Sequence, residues 1–496
     1  MAQCTVSTFT LSGVQAIEVD AEVDVGAGLP TFAIVGLADL AVQEARERVR
    51  SAVRSAGYDV PNARVVVNLA PGPVRKHGTG FDLPIALGIL AATNQLPREV
   101  ARECAAIGEL SLDGSVRPVA GMLAYALAAR DAGLALIGPA SAEHAADLEG
   151  LEYYPLRRLS ELRGGLPSPN SHSGPRAVAR LAGASVDFAE VAGHDLAKRA
   201  LTIAAAGGHN VLMVGPPGSG KTMLARRLPT ILPALSDVER LETALIHSVA
   251  GLDETAALAG VRPFRAPHHS ASIAGLVGGG SPPRPGEASL AHNGVLFLDE
   301  MPEFGPAALQ ALRQPLEDGA ITLVRAEGRL RFPARFALVG ASNPCPCGFF
   351  GDSQRRCTCP AAVVTRYQGR IGGPLMDRID LVIDVSRVDP ALILQPTPGE
   401  DSASMRAQVD GVRRHAEMRG LGPTALLSGA TLLQACRLAA QSRRALETVA
   451  HTQHLSGRGV TRLLRVARTV ADLEGSRAVC AEHIAEVVGF RAKGER

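Results

Sequence analysis

An α/β fold with a helical C-terminal region is predicted by three features of the sequence. Strand-length apolar runs alternate with helical-period segments through residues 1–160 and again through 187–390. A glycine-rich loop at 215–222 joins one apolar run to a helix. From about residue 396 to the end the sequence is Ala-, Leu- and Arg-rich and helical in character. A chain of 496 residues has room for about three domains. The boundaries read as 1–163, a linker at 164–186 rich in Gly, Pro and Ser, a second α/β unit at 187–395 and a helical unit at 396–496. No repeat of solenoid period is present.

Within the first unit, 40–57 carries apolar residues at helical spacing up to a glycine stop, and 63–69 (ARVVVNL) is a buried strand. The longest apolar stretch, 83–92, is shorter than the ~20 residues a bilayer helix needs. The N-terminus lacks a basic segment followed by an apolar one, so a signal peptide is not expected. Eight cysteines in this length do not make a secreted disulfide framework. A cytoplasmic protein with no membrane partner is the expectation.

Charge is balanced, with Lys+Arg 51 against Asp+Glu 49 and a formal net charge of +2. That excludes a histone-like coat, and any basic surface must be local. There is no Trp and aromatics are 3%, too few for extended base-stacking platforms. Only four of the cations are lysines: Lys76, Lys198, Lys221 and Lys493.

One of those lysines closes the phosphate-loop pattern Gly215-Pro216-Pro217-Gly218-Ser219-Gly220-Lys221-Thr222, set between an apolar strand and a helix. Glycines let successive N–H groups turn toward phosphates, and the helix N-terminus adds its positive end. Lys221 is placed to reach the β- and γ-phosphates of ATP, and the Thr222 hydroxyl to ligate Mg²⁺. Downstream, GVLFLDE at 294–300 delivers Asp299 to the metal and Glu300 to the attacking water. FALVGASNP at 336–344 is a further strand, ending in Asn343, which can position water or γ-phosphate.

Together with GRIGGPLMDRIDL at 369–381 these strings resemble a AAA+ ATPase. The stretches 261–280 (VRPFRAPHHSASIAGLVGGG) and 342–348 (SNPCPCG) resemble the magnesium-chelatase-like clade, and the whole chain resembles its YifB/ComM family. The resemblance implies a AAA+ P-loop core with a C-terminal helical lid. It makes Asn343 the residue called sensor 1 and Arg378 an arginine finger offered to a neighbouring subunit, in a ring that is usually a homohexamer. Arg465 best matches sensor 2, with Arg462 and Arg458 as alternatives. Read without the resemblance, Arg378 is an intrachain partner of Asp377 or Asp380.

Residues 319–336 alternate as a hairpin about Glu327-Gly328, with Arg325, Arg329, Arg331 and Arg335 opposed only by Glu327. In the clade's DNA helicases a hairpin before sensor 1 grips the strand, so DNA phosphates are the implied partners; the bland reading is a charged edge that blocks sheet addition. Cys345, Cys347, Cys357 and Cys359 form a CxC-x9-CxC pattern that suits structural Zn²⁺, or a redox pairing of the same thiols. His268 and His269, adjacent on a strand, would point apart, so a shared metal is not expected. Segments 75–90 and 108–129 resemble the proteolytic domain of Lon-type proteases, the ribosomal S5 domain 2-like fold. The Ser–Lys dyad that chemistry needs falls on Gly80 and Leu123. Proteolysis is therefore not expected. The resemblance implies a DNA motor in branch migration, with a chelatase-type or protein-remodelling ATPase and a protein partner as the alternative.

Overall fold

The computed structural model describes residues 2–170, 186–325, 328–352, 354–394 and 399–491; of the expected linker, 171–185 lie outside the described residues. In the N-terminal unit seven strands, β1 (Ala2–Ser12), β2 (Gln15–Gly26), β3 (Thr31–Val35), β4 (Arg64–Ala70), β5 (Cys104–Ala106), β6 (Ala135–Pro139) and β7 (Tyr153–Leu156), make one mixed sheet ordered β3-β4-β2-β1-β5-β6-β7. Helix α1 (Leu40–Ser55) starts where the Asp39 carboxylate accepts the Val42 N–H at 2.9 Å. Its Val42, Ala45, Val49, Ala52 and Val53 are buried, which is the 3.6-residue period of the sequence made physical. Helix α2 (Asp82–Ala92) contains the longest apolar stretch and is buried at every residue, so it is a core helix. Asp82 inside it is ion-paired with Arg48 of α1 at 2.6 and 2.9 Å. Among the described residues no helix is long and apolar enough to cross a membrane.

The second unit is built on five parallel strands: β8 (Val211–Val214), β9 (Phe264–Arg265), β10 (Gly294–Leu298), β13 (Phe336–Ser342) and β14 (Leu381–Asp384), with the hairpin β11 (Ala320–Arg325) and β12 (Gly328–Pro333) preceding β13. The sheet order is β9-β10-β13-β8-β14. All five residues of β10 are buried, as in a parallel sheet covered on both faces. Because β13 inserts between β8 and β10, three strand ends converge on one edge, where ligands of open parallel sheets bind.

Helices α7 (Ser402–Met418), α8 (Gly429–Cys436), α9 (Ala440–Thr452), α10 (Gly457–Leu473) and α11 (Ala481–Gly489) form the C-terminal unit. They share one apolar cluster with the sheet, in which Val211 and Ile383 of the strands meet Val409, Val466 and Val487 of the helices. A buried polar knot reinforces the joint: His209, just before β8, bonds Thr469 of α10 at 2.8 Å and lies 3.4 Å from Asp380.

The N-terminal unit docks on the helix spanning Asp237–Ala250. Leu123, which the Lon-type resemblance aligns with the dyad lysine, packs with Ala244 and Ala257, and its N–H donates to Ser248 Oγ at 3.2 Å. A Cβ at Gly80, the position the resemblance aligns with the nucleophile, would lie 2.7 Å from Ile107 Cδ1, so a side chain there would have to displace the tip of Ile107. Lys76, four positions earlier, is fully buried and donates to the Pro71 carbonyl at 2.5 Å.

Beneath the hairpin sits a neutral histidine. His292 Nδ1 accepts the Arg335 N–H at 2.9 Å, and Nε2 faces Glu242 at 3.2 Å. Burial, outweighing Glu242, pushes its pKa down to about 4. A histidine so depressed contributes fully above its unfolded pKa of about 6.5 and loses that contribution as pH falls toward 4. Denaturant titrations should therefore show stability falling across that window, with a share on the order of 3 kcal/mol absent in His292→Gln; an unchanged pH slope in the variant would contradict the assignment.

Candidate active site

The glycine-rich loop leaves β8 and turns into the helix α5 (Lys221–Ile231), which starts at Gly220 with φ +86°, a backbone region that favours glycine. The loop is pinned to the neighbouring strand by the Gly215 N–H, which donates to the Ser342 carbonyl at 3.1 Å. Lys221 is buried and its ammonium donates to the carbonyls of Gly215 at 2.7 Å and Pro216 at 2.9 Å. The same ammonium reaches Asn343 Oδ1 at 3.3 Å. Burial draws its pKa below the usual lysine value, opposed by the charges of Asp299 and Glu300.

Thr222 Oγ1 donates to Asp299 Oδ2 at 2.8 Å. A hydroxyl and a carboxylate side by side are hard oxygen donors, the set Mg²⁺ takes, so these residues fit that ion. Glu300 follows in the left-handed region at φ 50°, ψ 44°. That conformation is uncommon for a residue with a side chain and recurs at functional sites. Five positions named from the sequence (Lys221, Thr222, Asp299, Glu300 and Asn343) thus stand together at one sheet edge.

Two histidines join them. His269 Nδ1 lies 3.8 Å from Glu300 Oε2. The His268 and His269 rings are 4.1 Å apart, side by side and not pointing apart, because the segment after Pro267 is a turn and the strand ended at Arg265. His194, left-handed at φ 62°, sets its Nε2 beside the loop, 3.3 Å from where a Gly220 Cβ would be. That nitrogen is buried and has no hydrogen-bond partner among the described residues, which leaves it a polar edge facing the nucleotide loop. Its only signal in the sequence is Gly-His-Asp ahead of a helix, a pattern ordinary capping also produces.

The arginines divide. Arg378 is ion-paired with Glu317 of its own chain, and neither Asp377 nor Asp380 is its partner: Asp377 lies 3.7 Å from Arg462 and Asp380 pairs with His209. Arg465 is half-buried with Nε on the Leu427 carbonyl at 2.6 Å. Arg462 holds the carbonyls of Met376 and Ile379 at 2.9 and 2.8 Å, and Arg458 lies close enough to Arg378 to disfavour its charge.

In the hairpin the register Val324↔Arg329 and Thr322↔Arg331 puts Arg329 and Arg331 on one face, both exposed. Arg325 falls on the face of Ile321 and Phe332 and donates to the Gly280 carbonyl at 3.2 Å. Arg335, at the base, is paired with Glu242 at 2.5 Å. Arg325 pairs with Gly328, and Glu327 lies outside the described residues. The four clustered cysteines place their sulfur atoms within 4.8 Å of one another, two residues beyond Asn343.

Phosphate loop, acidic strand end and polar strand end on a β9-β10-β13-β8-β14 parallel sheet, under a helical lid, define a AAA+ P-loop ATPase. Family models match in three successive blocks: magnesium chelatase subunit ChlI over residues 187–393, subunit ChlI of Mg-chelatase over 21–141, and the ChlI C-terminal model over 399–491. The chain is 43% identical to competence protein ComM of Haemophilus influenzae over 489 residues, covering 97% of this chain and 96% of that one. It is 40% identical to the uncharacterized protein YifB of Escherichia coli over 495 residues (99% and 97%) and 42% identical to the uncharacterized protein Rv2897c of Mycobacterium tuberculosis over 487 (96% of each). The chain belongs to the YifB/ComM family of magnesium-chelatase-like AAA+ proteins.

Glu300→Gln should still bind ATP, because the loop contacts are untouched, while turnover falls by roughly 10²–10⁴. Lys221→Ala should weaken binding itself. Nucleotide affinity by calorimetry beside steady-state turnover separates the two, and equal turnover in Glu300→Gln and the parent would remove Glu300 from the chemistry.

Proposed function

We propose that this chain is a ring-forming motor, most fittingly a homohexamer in the cytoplasm, that hydrolyses ATP to move DNA strands, with branch migration in recombination or DNA uptake as its work. The observation that carries the reading is the exposed Arg329/Arg331 face on a hairpin that runs directly into β13, the strand ending at Asn343. A shift at the γ-phosphate position thereby has a short covalent path to a pair of cations suited to backbone phosphates. The name of the Haemophilus influenzae relative, competence protein, points the same way.

In this reading Lys221 neutralises the β- and γ-phosphates, Thr222 and Asp299 hold Mg²⁺, and Glu300, steadied by His269, takes the proton of the attacking water. Bound there, Mg²⁺ would offset the charge developing on the phosphates. Asn343 orients the γ-phosphate, Arg465 serves as sensor 2 from the lid, and the neighbour's Arg378 completes the site after leaving Glu317. ATP and Mg²⁺ are the cofactors, with structural Zn²⁺ on the cysteine cluster. Peptide hydrolysis is outside this reading, given Gly80 and Leu123. A chelatase-type or protein-remodelling ATPase acting on a protein partner is the second reading, favoured by three family models drawn from a chelatase subunit.

Forked or four-way DNA should stimulate ATP hydrolysis at moderate salt, and Arg329→Ala with Arg331→Ala should remove the stimulation while leaving the basal rate. Absence of both binding and stimulation by any branched DNA would favour the protein-partner reading. Arg378→Ala should cut turnover by roughly 10³ or more, and mixing it with Glu300→Gln should restore part of it in trans. No recovery at any ratio would argue against the shared site.

A further inference from the structure

Between Asn343 and the helix Ala361–Gln368 the described chain forms no helix or strand, although it sits against the phosphate loop. A stretch of that length without regular structure is uncommon in a compact domain and needs some other core. Its four cysteines supply one. Sγ–Sγ separations are 3.3 Å for Cys345–Cys347, 3.7 Å for Cys345–Cys357 and 3.6 Å for Cys347–Cys357, and all four thiols are free. A disulfide would need about 2.05 Å. A tetrahedron with Zn–S of ~2.3 Å has edges of about 3.8 Å. Backbone N–H groups also point at the sulfurs: Phe349 and Thr358 at Cys347, and Cys359 at Cys357 at 3.4 Å.

The cluster is mechanically connected to the nucleotide site. Gly348, turned at φ +82°, rests on the phosphate loop so closely that a Cβ would fall 2.5 Å from Pro217 Cδ. Asn343 lies two residues before the first cysteine, and the Pro344 carbonyl accepts from Gln368 Nε2 at 3.0 Å. The last cysteine is followed at once by the helix Ala361–Gln368, whose chain continues to Arg378.

We propose that Cys345, Cys347, Cys357 and Cys359 hold one zinc ion tetrahedrally, and that this ion braces Asn343 and the phosphate loop in the arrangement that hydrolyses ATP. The brace rests on the ATPase reading of the site; the metal site does not. The cysteines act through Pro217 and Asn343, as positioning residues.

The test uses the full chain. Elemental analysis of purified protein should give one zinc per chain, and protein grown with cobalt should show the visible absorption of tetrahedral cobalt thiolate. Cys347→Ser with Cys359→Ser should lose the metal and lower ATP turnover roughly tenfold or more. Should that variant fail to fold, a mercurial thiol reagent with a zinc indicator will strip the parent protein. The turnover lost should then return on adding thiol and zinc, but not thiol alone. Metal-free parent protein without the cobalt signature overturns the site. Zinc that leaves and returns with turnover unchanged overturns the brace. A parent that binds zinc but hydrolyses no ATP, with or without DNA, overturns the ATPase reading and the brace with it, leaving the site standing.

Discussion

The parallel register of three strands fixes everything at the nucleotide site. Val214 of β8 stands opposite Ser342 of β13, and Leu298 of β10 opposite Gly340, so the residues that follow these strands emerge side by side. From that one edge come the phosphate loop, the Asp299–Glu300 pair and Asn343. Lys221 then joins two of the strand ends through a buried ammonium, and Thr222 joins the third. A slip of one residue in any strand would turn its side chains to the other face and carry its polar end off the edge.

The same edge is coupled to the rest of the chain by contacts that are short and few. The hairpin enters β13 within three residues, the first clustered cysteine follows its end by three, and the lid shares an apolar cluster with the sheet's strands. The N-terminal unit reaches the core through Leu123, and its β1–β2 turn lies so near the hairpin that a Cβ added at Gly13 would fall 3.1 Å from the Arg331 carbonyl oxygen. Position 123 is thus an apolar contact between units.

What was legible in the sequence was local. The phosphate loop and the Asp299 strand end are contiguous strings, and helix α1 showed its period and stop within eighteen residues of sequence at 40–57. The family resemblance extended that reach to the sheet and the lid. Pairings set by topology were not legible. Arg335 meets Glu242 across 93 positions, so an arginine that looked unopposed is neutralised, and Arg378 finds Glu317 and not the aspartates beside it. The orientation of His268 and His269 followed from a turn closed by the Ala271 N–H on the His268 carbonyl, which strand periodicity does not describe. His194 carries only a Gly-His-Asp pattern that ordinary capping also produces; its unpartnered Nε2 beside Gly220 is what reveals it.

The central claim is that Lys221, Thr222, Asp299 and Asn343 together form the phosphate and metal site. A high-resolution structure of the protein with Mg²⁺ and a slowly hydrolysed ATP analogue tests it most directly. The account predicts the Lys221 ammonium on the terminal phosphates, the metal between Thr222 and Asp299, and Asn343 within hydrogen-bond reach of the γ-phosphate. Nucleotide bound elsewhere, or bound here with the metal held by other residues and the Thr222–Asp299 hydrogen bond intact, would contradict it.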